Sequence, residues 1–438
     1  MRIVLYLRPK SKAFFYSVAT GVFNNPEIIT YSDYNYIADV WAGKYIYNAK
    51  YDYENERFEA QKADILPRCR TLRKMKPELA YKLACRYWNG MEEFFSENKY
   101  DYLLTIPVDC YSLDIMCRVA EQFDVKIISF VGSIFEDRAK LTIRGEYTKV
   151  REYVPEEEIE ECIDKMIKVN YLSPSEIRNV KKNHISIYKY HIRRFLIEYF
   201  YYPLMKMRDK DPWNYHYNIF EVKGIPLRKR FNKNFESLFT HIDELKINKA
   251  TTVYYPMHLI PEATTDYWCP DIRVSNYNQF ILDMIHNADS GITFIIKEHP
   301  AMYGRRLLSF YDELNAIPNV ILLHPMDRSN NLLLEVDNVV VDNGTVGIEA
   351  LMRGKRVICL SDNYYYRFHP NAFRRDCVTM ESLSLPLQEY DNRIFMKNLL
   401  QGCFVSNFKN STNGIPTSNP DQVIKGIRTY LEISNLPM

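Results

Sequence analysis

The clearest chemical signal in the sequence is a histidine–proline pair that directly follows a predicted strand. Lys297, Glu298, His299 and Pro300 come after the apolar run ITFII. Proline disfavours the α conformation in the residue before it, so Pro300 ends the strand and directs His299 to the carboxyl edge of a sheet. A protonated imidazole there donates to a phosphate or to a leaving oxygen. The competing interpretation is an ordinary loop histidine beside a surface pair of Lys297 and Glu298.

A second strand-to-helix junction lies about 45 residues further on, after the run NVVV. Gly344, preceded by Asn343, allows a tight turn, and Thr345 suits a helix cap that leaves the first N–H groups open to an anion. Glu349, one turn later, would reach the ribose of a nucleotide lying over the helix start. The same residue types are also common at helix starts that bind no ligand. The junction lacks both the P-loop lysine and the G-x-G-x-x-G spacing that would indicate a phosphate site more strongly.

A third loop follows the first strand of the same region, TVYYP, and is bounded by prolines. It carries His258 and Glu262. These residues would either contact a sugar or phosphate, or stabilise the hinge between the two predicted domains.

The elements that position these groups alternate between strands and helices, which predicts parallel α/β units. The chain of 438 residues is long enough for several domains. We predict a first Rossmann-like domain over 1–150, a helical insert over 151–245, a second Rossmann-like domain over 246–420 and a last helix over 421–438.

The cysteine pattern and the length of the apolar runs exclude several classes of protein. The net charge is +2, and the nine cysteines show no C-x-x-C pair. This argues against a disulfide framework or a zinc ribbon and favours a reducing compartment. No apolar run approaches the length of a membrane span. We therefore expect a soluble, cytoplasmic protein.

The insert contains a basic, aromatic stretch, 181–230, with twelve Lys or Arg against four Asp or Glu. It predicts a contact with the inner face of the membrane, a site for an acidic acceptor, or a helical arm whose charges are solvated. Nucleic-acid binding is disfavoured because no recognised module accompanies the stretch.

The run YYPMHLIPEATT, then FIIKEHP, then DNGTVGIEALMRGKRVICL resembles the capsule polysaccharide biosynthesis family, relatives of the Kdo transferases. Residues 252–360, about a quarter of the chain, carry this resemblance in order and spacing. It implies a GT-B architecture and a nucleotide-sugar donor, CMP-linked in the Kdo transferases. It further implies that His299 contacts the donor phosphate and that Gly344 and Thr345 bind it from the other side, with no metal or other cofactor.

Two points of the resemblance stay open. The chain has His258 and Glu262 where Kdo-transferring members have Gln and Asp, which leaves the donor sugar open. The catalytic carboxylate should come from the first domain, where Asp109, Asp114 and Asp137 follow predicted strands.

These observations predict a metal-independent glycosyltransferase of surface-polysaccharide assembly that uses a nucleotide sugar and a glycan or glycolipid acceptor. The alternatives are a UDP-GlcNAc 2-epimerase-like enzyme, a CDP-polyol phosphotransferase and a non-catalytic scaffold.

Overall fold

The computed structural model describes residues 1–168, 192, 196, 200, 204, 207, 233–303, 305–407 and 419–437. Two β-sheets flanked by helices organise these residues, which confirms the predicted α/β class with two parallel sheets. Much of the predicted insert, including most of 181–230, lies outside the described residues. The predicted boundaries of the four segments stay predictions.

The strands of the described residues are β1 (Arg2–Tyr6), β2 (Glu27–Ser32), β3 (Val40–Trp41), β4 (Tyr102–Thr105), β5 (Lys126–Gly132), β6 (Arg138–Leu141), β7 (Thr252–Pro256), β8 (Thr293–Lys297), β9 (Val320–Leu323), β10 (Asn338–Val341), β11 (Arg356–Cys359), β12 (Ala372–Arg374) and β13 (Cys403–Val405).

The α-helices of the same part of the chain are α1 (Lys12–Val22), α2 (Gly43–Ile46), α3 (Glu56–Glu59), α4 (Lys62–Arg68), α5 (Pro77–Glu97), α6 (Tyr111–Gln122), α7 (Glu156–Ile167), α8 (Lys233–Glu236), α9 (Ala263–Asp266), α10 (Tyr277–His286), α11 (Leu308–Asn315), α12 (Ser329–Glu335), α13 (Val346–Leu351), α14 (Met380–Ser384), α15 (Asn392–Gln401) and α16 (Pro420–Ile433).

The first sheet has the order β13-β6-β5-β4-β1-β2-β3. Strands β3, β2, β1, β4 and β5 run parallel, whereas β6 pairs antiparallel with both β5 and β13. The strand order reverses at β1, because β2 lies on one side of it and β4 on the other. Ligands of such sheets bind beyond the carboxyl ends of the strands at this reversal.

The second sheet is parallel throughout, in the order β12-β11-β10-β7-β8-β9. Its central strands are buried on both faces, which explains their nearly continuous apolar runs, such as TVYYP and NVVV. Here the order reverses between β7 and β10, so the loops after these two strands meet at one crevice.

The chain exchanges elements between the two sheets. Helix α7 packs on α15 over the second sheet, with Ile159 and Met166 in the same apolar cluster as Leu399. Conversely, β13 joins the first sheet and α16 packs on α1, placing Val423 and Ile427 among its core residues. The C-terminal segment therefore stabilises the first sheet although the sequence places it after the second.

No helix in the described part of the chain combines the length and apolar character that crossing a membrane requires.

Candidate functional site

The reversal point of the second sheet brings two of the predicted loops together. Strands β7 and β10 are neighbours, with Tyr254 opposite Val339. The loop after β7 carries His258, and the loop after β10 begins with Asp342 and contains Gly344. These residues are 84 or more positions apart in the sequence and meet only because the strands are adjacent.

His258 and Asp342 form a buried ion pair. The imidazole Nε2 lies 3.1 Å from Asp342 Oδ1, and the Asp342 side chain is almost fully buried. Burial lowers the pKa of His258, but the Asp342 carboxylate and, more weakly, Glu262 outweigh it, so the pKa is raised above its usual value. His258 is therefore a candidate imidazolium at the carboxyl edge of the sheet.

Two tyrosines hold this pair in place. Tyr255 donates from its hydroxyl to Asp342 Oδ1 at 3.3 Å, and its oxygen lies 3.0 Å from that of Tyr277. The backbone N–H of His258 donates to the Tyr277 hydroxyl at 2.8 Å. The contact of its ring with Asp342 and the hydrogen bond from its backbone N–H to Tyr277 together fix the orientation of the His258 imidazole.

The Gly344 turn lies directly against His258. A Cβ atom at Gly344 would be 3.6 Å from His258 Cε1 and Nε2, so the turn and the ring share one surface. Tyr365 donates to the Gly344 carbonyl at 2.6 Å, and a Cβ at Gly347 would be 2.1 Å from the same hydroxyl. Glycine at 347 is therefore required for this tyrosine to reach the turn.

Glu298 and Arg306 anchor the loop after β8 from inside. Both side chains are fully buried, and Arg306 Nε donates to Glu298 Oε2 at 2.5 Å. Arg306 also donates to the carbonyl of His258 at 2.7 Å, and Glu298 accepts from the N–H of His299 at 2.7 Å. The interpretation of Glu298 as a surface partner of Lys297 is therefore wrong, because its carboxylate is buried against Arg306.

His299 lies in the opposite electrostatic setting to His258. Burial, followed by the positive charges of Lys297, His258, Arg306 and Arg305, lowers the pKa of His299 to about 3. The ring is therefore neutral at pH 7 in the free protein, whereas the sequence interpretation relied on a protonated ring. An anion bound among these cations would favour protonation of His299.

The other predicted residues surround this centre at greater or lesser distance. Lys297 is buried and donates to the Pro325 carbonyl at 3.1 Å. Pro300 begins a short 3-10 helix, and Glu262 accepts from the Thr264 hydroxyl at 2.7 Å. The remaining three are Asn343, which donates to the Thr264 carbonyl, Thr345, which precedes α13 without a side-chain cap, and Glu349, which is buried in the first turn of α13.

The reversal point of the first sheet also carries a charged cluster. Arg8, just after β1, donates to Asp33 at 3.2 Å and to Asp109 at 2.5 Å. Asp109 keeps 29% of its side chain exposed, whereas Arg8 and Asp33 are buried. The preceding residue, Val108, accepts from Trp268 of the second domain at 2.9 Å. Asp109 therefore lies beside the contact between the domains with its carboxylate partly accessible.

The other two predicted carboxylates differ from Asp109. Asp114 is fully buried and binds Arg118 at 3.1 Å and Arg144 at 2.8 Å, which together lower its pKa against the effect of burial. Asp137 is exposed and has a positive φ of 52°, as expected in a tight turn before β6. Asp114 is thus committed to two arginines, and Asp137 shapes a turn.

The two domains are held together by specific contacts. Arg68 donates to the carbonyls of Asp266 at 3.2 Å and Cys269 at 2.8 Å. Asp266, buried in the second domain, forms ion pairs with Arg70 and Arg73 of the first. In addition, Gly145 has a φ of 92° and lies so close to Trp268 that a Cβ would approach its backbone oxygen to 3.0 Å.

One group of described residues has the composition of a metal site: His241, His324 and Asp327. His324 Nδ1 accepts from the N–H of Met326 at 3.2 Å, which leaves its Nε2 to donate to Glu236 at 2.9 Å. In this tautomer the proton lies on the nitrogen that faces the Glu236 carboxylate, so His324 takes part in a hydrogen-bond network.

Sequence reasoning missed the residues that support the site: Asp342 as the partner of His258, Arg306, Tyr255, Tyr277 and Tyr365. The sequence shows Asp342 as the acidic residue directly after β10, two positions before Gly344. The tyrosines and Arg306 carry no local signal, because their partners come from other loops.

The model of the family described as capsule polysaccharide biosynthesis protein matches residues 159–368. This match confirms the resemblance and extends it on both sides of 252–360. No curated protein sequence matches the chain.

Solved structures give weaker likenesses. The β-Kdo 2,4 transferase of Thermosulfurimonas dismutans KpsC is 13% identical over 77% of this chain and 94% of its own, with a TM-score of 0.38. The β-Kdo 2,7 transferase of the same KpsC is 13% identical over 77% and 87%, with a TM-score of 0.34. The UDP-GlcNAc 2-epimerase of Methanocaldococcus jannaschii is 13% identical over 91% and 96%, with a TM-score of 0.26. These values are too low to establish a shared activity.

Proposed function

We propose that this chain, whose residues 159–368 match the capsule polysaccharide biosynthesis family, is a glycosyltransferase that moves a sugar from a nucleotide donor to a glycan or glycolipid acceptor. The two parallel sheets and their interdomain contacts support a GT-B arrangement, with the donor on the second domain. All nine cysteines are free, which supports a reducing, cytoplasmic compartment.

The observation that carries the proposal is the contact between the His258–Asp342 pair and the Gly344 turn. An imidazolium and a strand-to-helix turn at a reversal point present a cation and N–H donors to the same space. The donor phosphate binds there, with His258 as the charged donor. As the sugar leaves, these groups stabilise the negative charge that develops on the phosphate.

His299 is the second histidine of the proposed phosphate site, and unlike His258 it is neutral before the phosphate binds. It is neutral in the free protein because burial and, after it, the nearby cations lower its pKa, and a bound phosphate would offset the effect of those cations and favour its protonation. We propose that the transfer needs no metal, because these protein groups would stabilise the charge on the phosphate.

Asp109 is the carboxylate that we assign to the acceptor side. It is the partly exposed member of the first-sheet cluster and lies next to the interdomain contact at Val108. It acts as the base for the acceptor hydroxyl in an inverting transfer, or as the nucleophile in a retaining one.

A nucleotide screen tests the proposal. We expect CMP, among CMP, CDP, UMP, UDP and GDP, to raise the melting temperature of the wild-type protein by mass action. His258→Ala should remove that effect, and the wild-type protein should consume a CMP-activated sugar only when an acceptor is present. Turnover of a UDP-sugar without acceptor would instead support the epimerase alternative, and no response to any nucleotide would contradict the proposal.

The described residues of the basic stretch support a contact with an anionic membrane surface. The structure describes five residues of this stretch; all five are apolar and exposed, and their spacing of four, four, four and three positions aligns them on one side of a helix. They are Ile192, Leu196, Phe200, Leu204 and Met207. With the local excess of Lys and Arg, this pattern is typical of a helix that adsorbs to anionic lipid.

Co-sedimentation with vesicles checks this part of the proposal. We expect binding to phosphatidylglycerol-containing vesicles and little binding to pure phosphatidylcholine. The double variant Phe200→Ser, Leu204→Ser should lose it, whereas Met380→Ser, also an exposed apolar residue, should keep it. Equal binding of all three proteins would contradict a contact through this stretch.

A further inference from the structure

A group of potential metal ligands lies at the carboxyl edge of the second sheet, beyond β9. It consists of His241, His324 and Asp327, and one nitrogen or carboxylate oxygen from each residue lies within 4.8 Å of those from the other two. Strand β8 separates β9 from β7, whose loop carries His258. The group is therefore separate from the proposed phosphate site, and the proposed function does not use it.

Backbone pairing places the two histidines of this group side by side. Thr240 pairs with Leu323 in a parallel bridge at the edge of the second sheet. Its N–H donates to the Leu322 carbonyl at 2.8 Å, and its carbonyl accepts from the N–H of His324 at 3.0 Å. The residues that follow the bridge are His241 and His324, and their rings stack with centroids 4.7 Å apart. The histidine pair is thus set by the register of the backbone.

The His324 ring is oriented in the way that is usual for a metal ligand. Its Nε2 donates to the Glu236 carboxylate at 2.9 Å, and Glu236 also accepts from the Tyr303 hydroxyl. A carboxylate on one ring nitrogen fixes the tautomer and leaves the lone pair of the other nitrogen for a metal. Here that nitrogen is Nδ1, which accepts from the Met326 N–H at 3.2 Å. A metal at Nδ1 would replace this one hydrogen bond and keep the proton on Nε2.

Asp327 and His241 are placed to share a cation. Asp327 Oδ2 accepts from the Ile242 N–H at 2.9 Å, and Asp327 Oδ1 lies 3.2 Å from His241 Nδ1. An ionised carboxylate can only accept, so the proton of this contact lies on the imidazole nitrogen. A divalent cation can take the place of that proton, which then moves to His241 Nε2. Because 54% of the His241 side chain is exposed, the ion can enter from solvent.

We propose that His241, His324 and Asp327 bind one Zn²⁺ ion. Imidazole nitrogens and a carboxylate oxygen are ordinary zinc ligands, whereas Mg²⁺ and Ca²⁺ prefer sites made of oxygen atoms alone. Two carboxylates, those of Asp327 and Glu236, accompany the two imidazoles, and this balance of charge favours a cation over an anion.

The ion would join two parts of the second domain. His241 belongs to the segment 233–245, which leads into β7, and the other two ligands follow β9. Three protein ligands leave one tetrahedral position to water, so the ion is exchangeable, unlike the ion of a closed four-ligand site. The stability of the folded chain should therefore rise with the concentration of Zn²⁺, by mass action.

Metal titration tests the proposal. The full chain is treated with EDTA, transferred to metal-free buffer and titrated calorimetrically with ZnCl₂ and, separately, with MgCl₂. We expect the wild-type protein to bind Zn²⁺ at this site with one ion per chain and to show no comparable binding of Mg²⁺. Excess Zn²⁺ should raise the melting temperature of the wild type, and added EDTA should reverse the increase.

Three variants and a control locate the ion. His241→Ala and Asp327→Ala each remove a ligand and should abolish binding at this site. Glu236→Gln keeps all three ligands but removes the carboxylate that orients His324, so the affinity for Zn²⁺ should fall about 10–100-fold. His286→Ala, at an exposed histidine of α10, is the matched control and should bind Zn²⁺ like the wild type.

Urea unfolding in EDTA checks that the variants fold. His241→Ala alters a half-exposed side chain, so its transition should lie close to that of the wild type. The proposal is overturned if the wild-type protein binds no Zn²⁺. It is also overturned if His241→Ala and Asp327→Ala bind Zn²⁺ like the wild type, because the ion would then lie elsewhere in the chain.

Discussion

The two sheets have charged clusters at equivalent places, but the clusters are balanced differently. At the reversal point of the first sheet, Arg8 is shared by the carboxylates of Asp33 and Asp109. At that of the second sheet, His258 faces Asp342, while the neighbouring His299 is surrounded by positive charge. The first cluster offers a partly exposed carboxylate, and the second offers room for an added anion.

In the proposed function the two clusters have complementary tasks. A phosphate would bind beside His258 and His299 at the second sheet, whereas at the first sheet it would compete with Asp33 and Asp109 for Arg8. Asp109, whose carboxylate is partly exposed, would act on the acceptor hydroxyl.

The largest expected effect is on turnover. Asp109→Asn keeps the shape of the side chain but removes its capacity as base or nucleophile, so kcat should fall about 10²–10⁴-fold. Nucleotide affinity, measured by calorimetry, should stay within a few-fold of the wild type. Asp137→Asn is the control, since this exposed turn residue should leave kcat unchanged, and near-normal turnover by Asp109→Asn would contradict the assignment.

Asp114→Asn should affect stability instead. Removing the charge that pairs with Arg118 and Arg144 leaves two partly buried guanidinium groups short of a counterion, and about 3–5 kcal/mol of unfolding free energy should be lost. Urea unfolding measures this, with Asp137→Asn again as control. A change below about 0.5 kcal/mol, typical of surface substitutions, would show that Asp114 does not hold these arginines.

Asp342→Asn should weaken nucleotide binding at pH 7 about 10–100-fold, because His258 loses the carboxylate that keeps it charged. With burial then dominant, the pKa of His258 should drop, so part of the affinity should return as the pH is lowered. Asp327→Asn, which alters the comparable pair with His241 at 3.2 Å, is the matched control. Equal nucleotide affinities of Asp342→Asn and Asp327→Asn would show that His258 takes no part in phosphate binding.

His299→Gln should change how stability depends on pH. The folded pKa of about 3 lies below the unfolded value of about 6.5, so the wild type loses stability as the pH falls from about 6.5 towards 3. Between pH 7 and pH 5 this amounts to at most about 2 kcal/mol. In urea unfolding, the His299→Gln variant should not show this loss of stability. An identical loss in the wild type and the variant would show that the His299 ring is exposed to solvent.

Much of the second domain could be predicted because its parallel strands are buried on both faces and appear as continuous apolar runs. The predicted strand NVVV agrees with β10, and the predicted strand TVYYP agrees with β7. The β12 and β13 strands were missed, since each has only three residues, and β13 pairs with β6, which is distant in the sequence.

The site was predictable in its loops but not in its electrostatics. Proline and glycine mark the turns after β8 and β10 by their backbone preferences. Which histidine carries charge depends on Asp342 and Arg306, and these approach from other loops only after the strands are ordered. A local sequence pattern can therefore locate His258 and His299, but it cannot show which of the two is charged.

The most direct test of the account compares calorimetric binding of CMP to wild-type protein, His258→Ala and His241→Ala at pH 7. Both histidines pair with an aspartate, but His258 also lies against the Gly344 turn. We predict that His258→Ala lowers the affinity about 10–100-fold while His241→Ala leaves it unchanged. Unaltered affinity in His258→Ala would contradict a donor phosphate site at the reversal point of the second sheet.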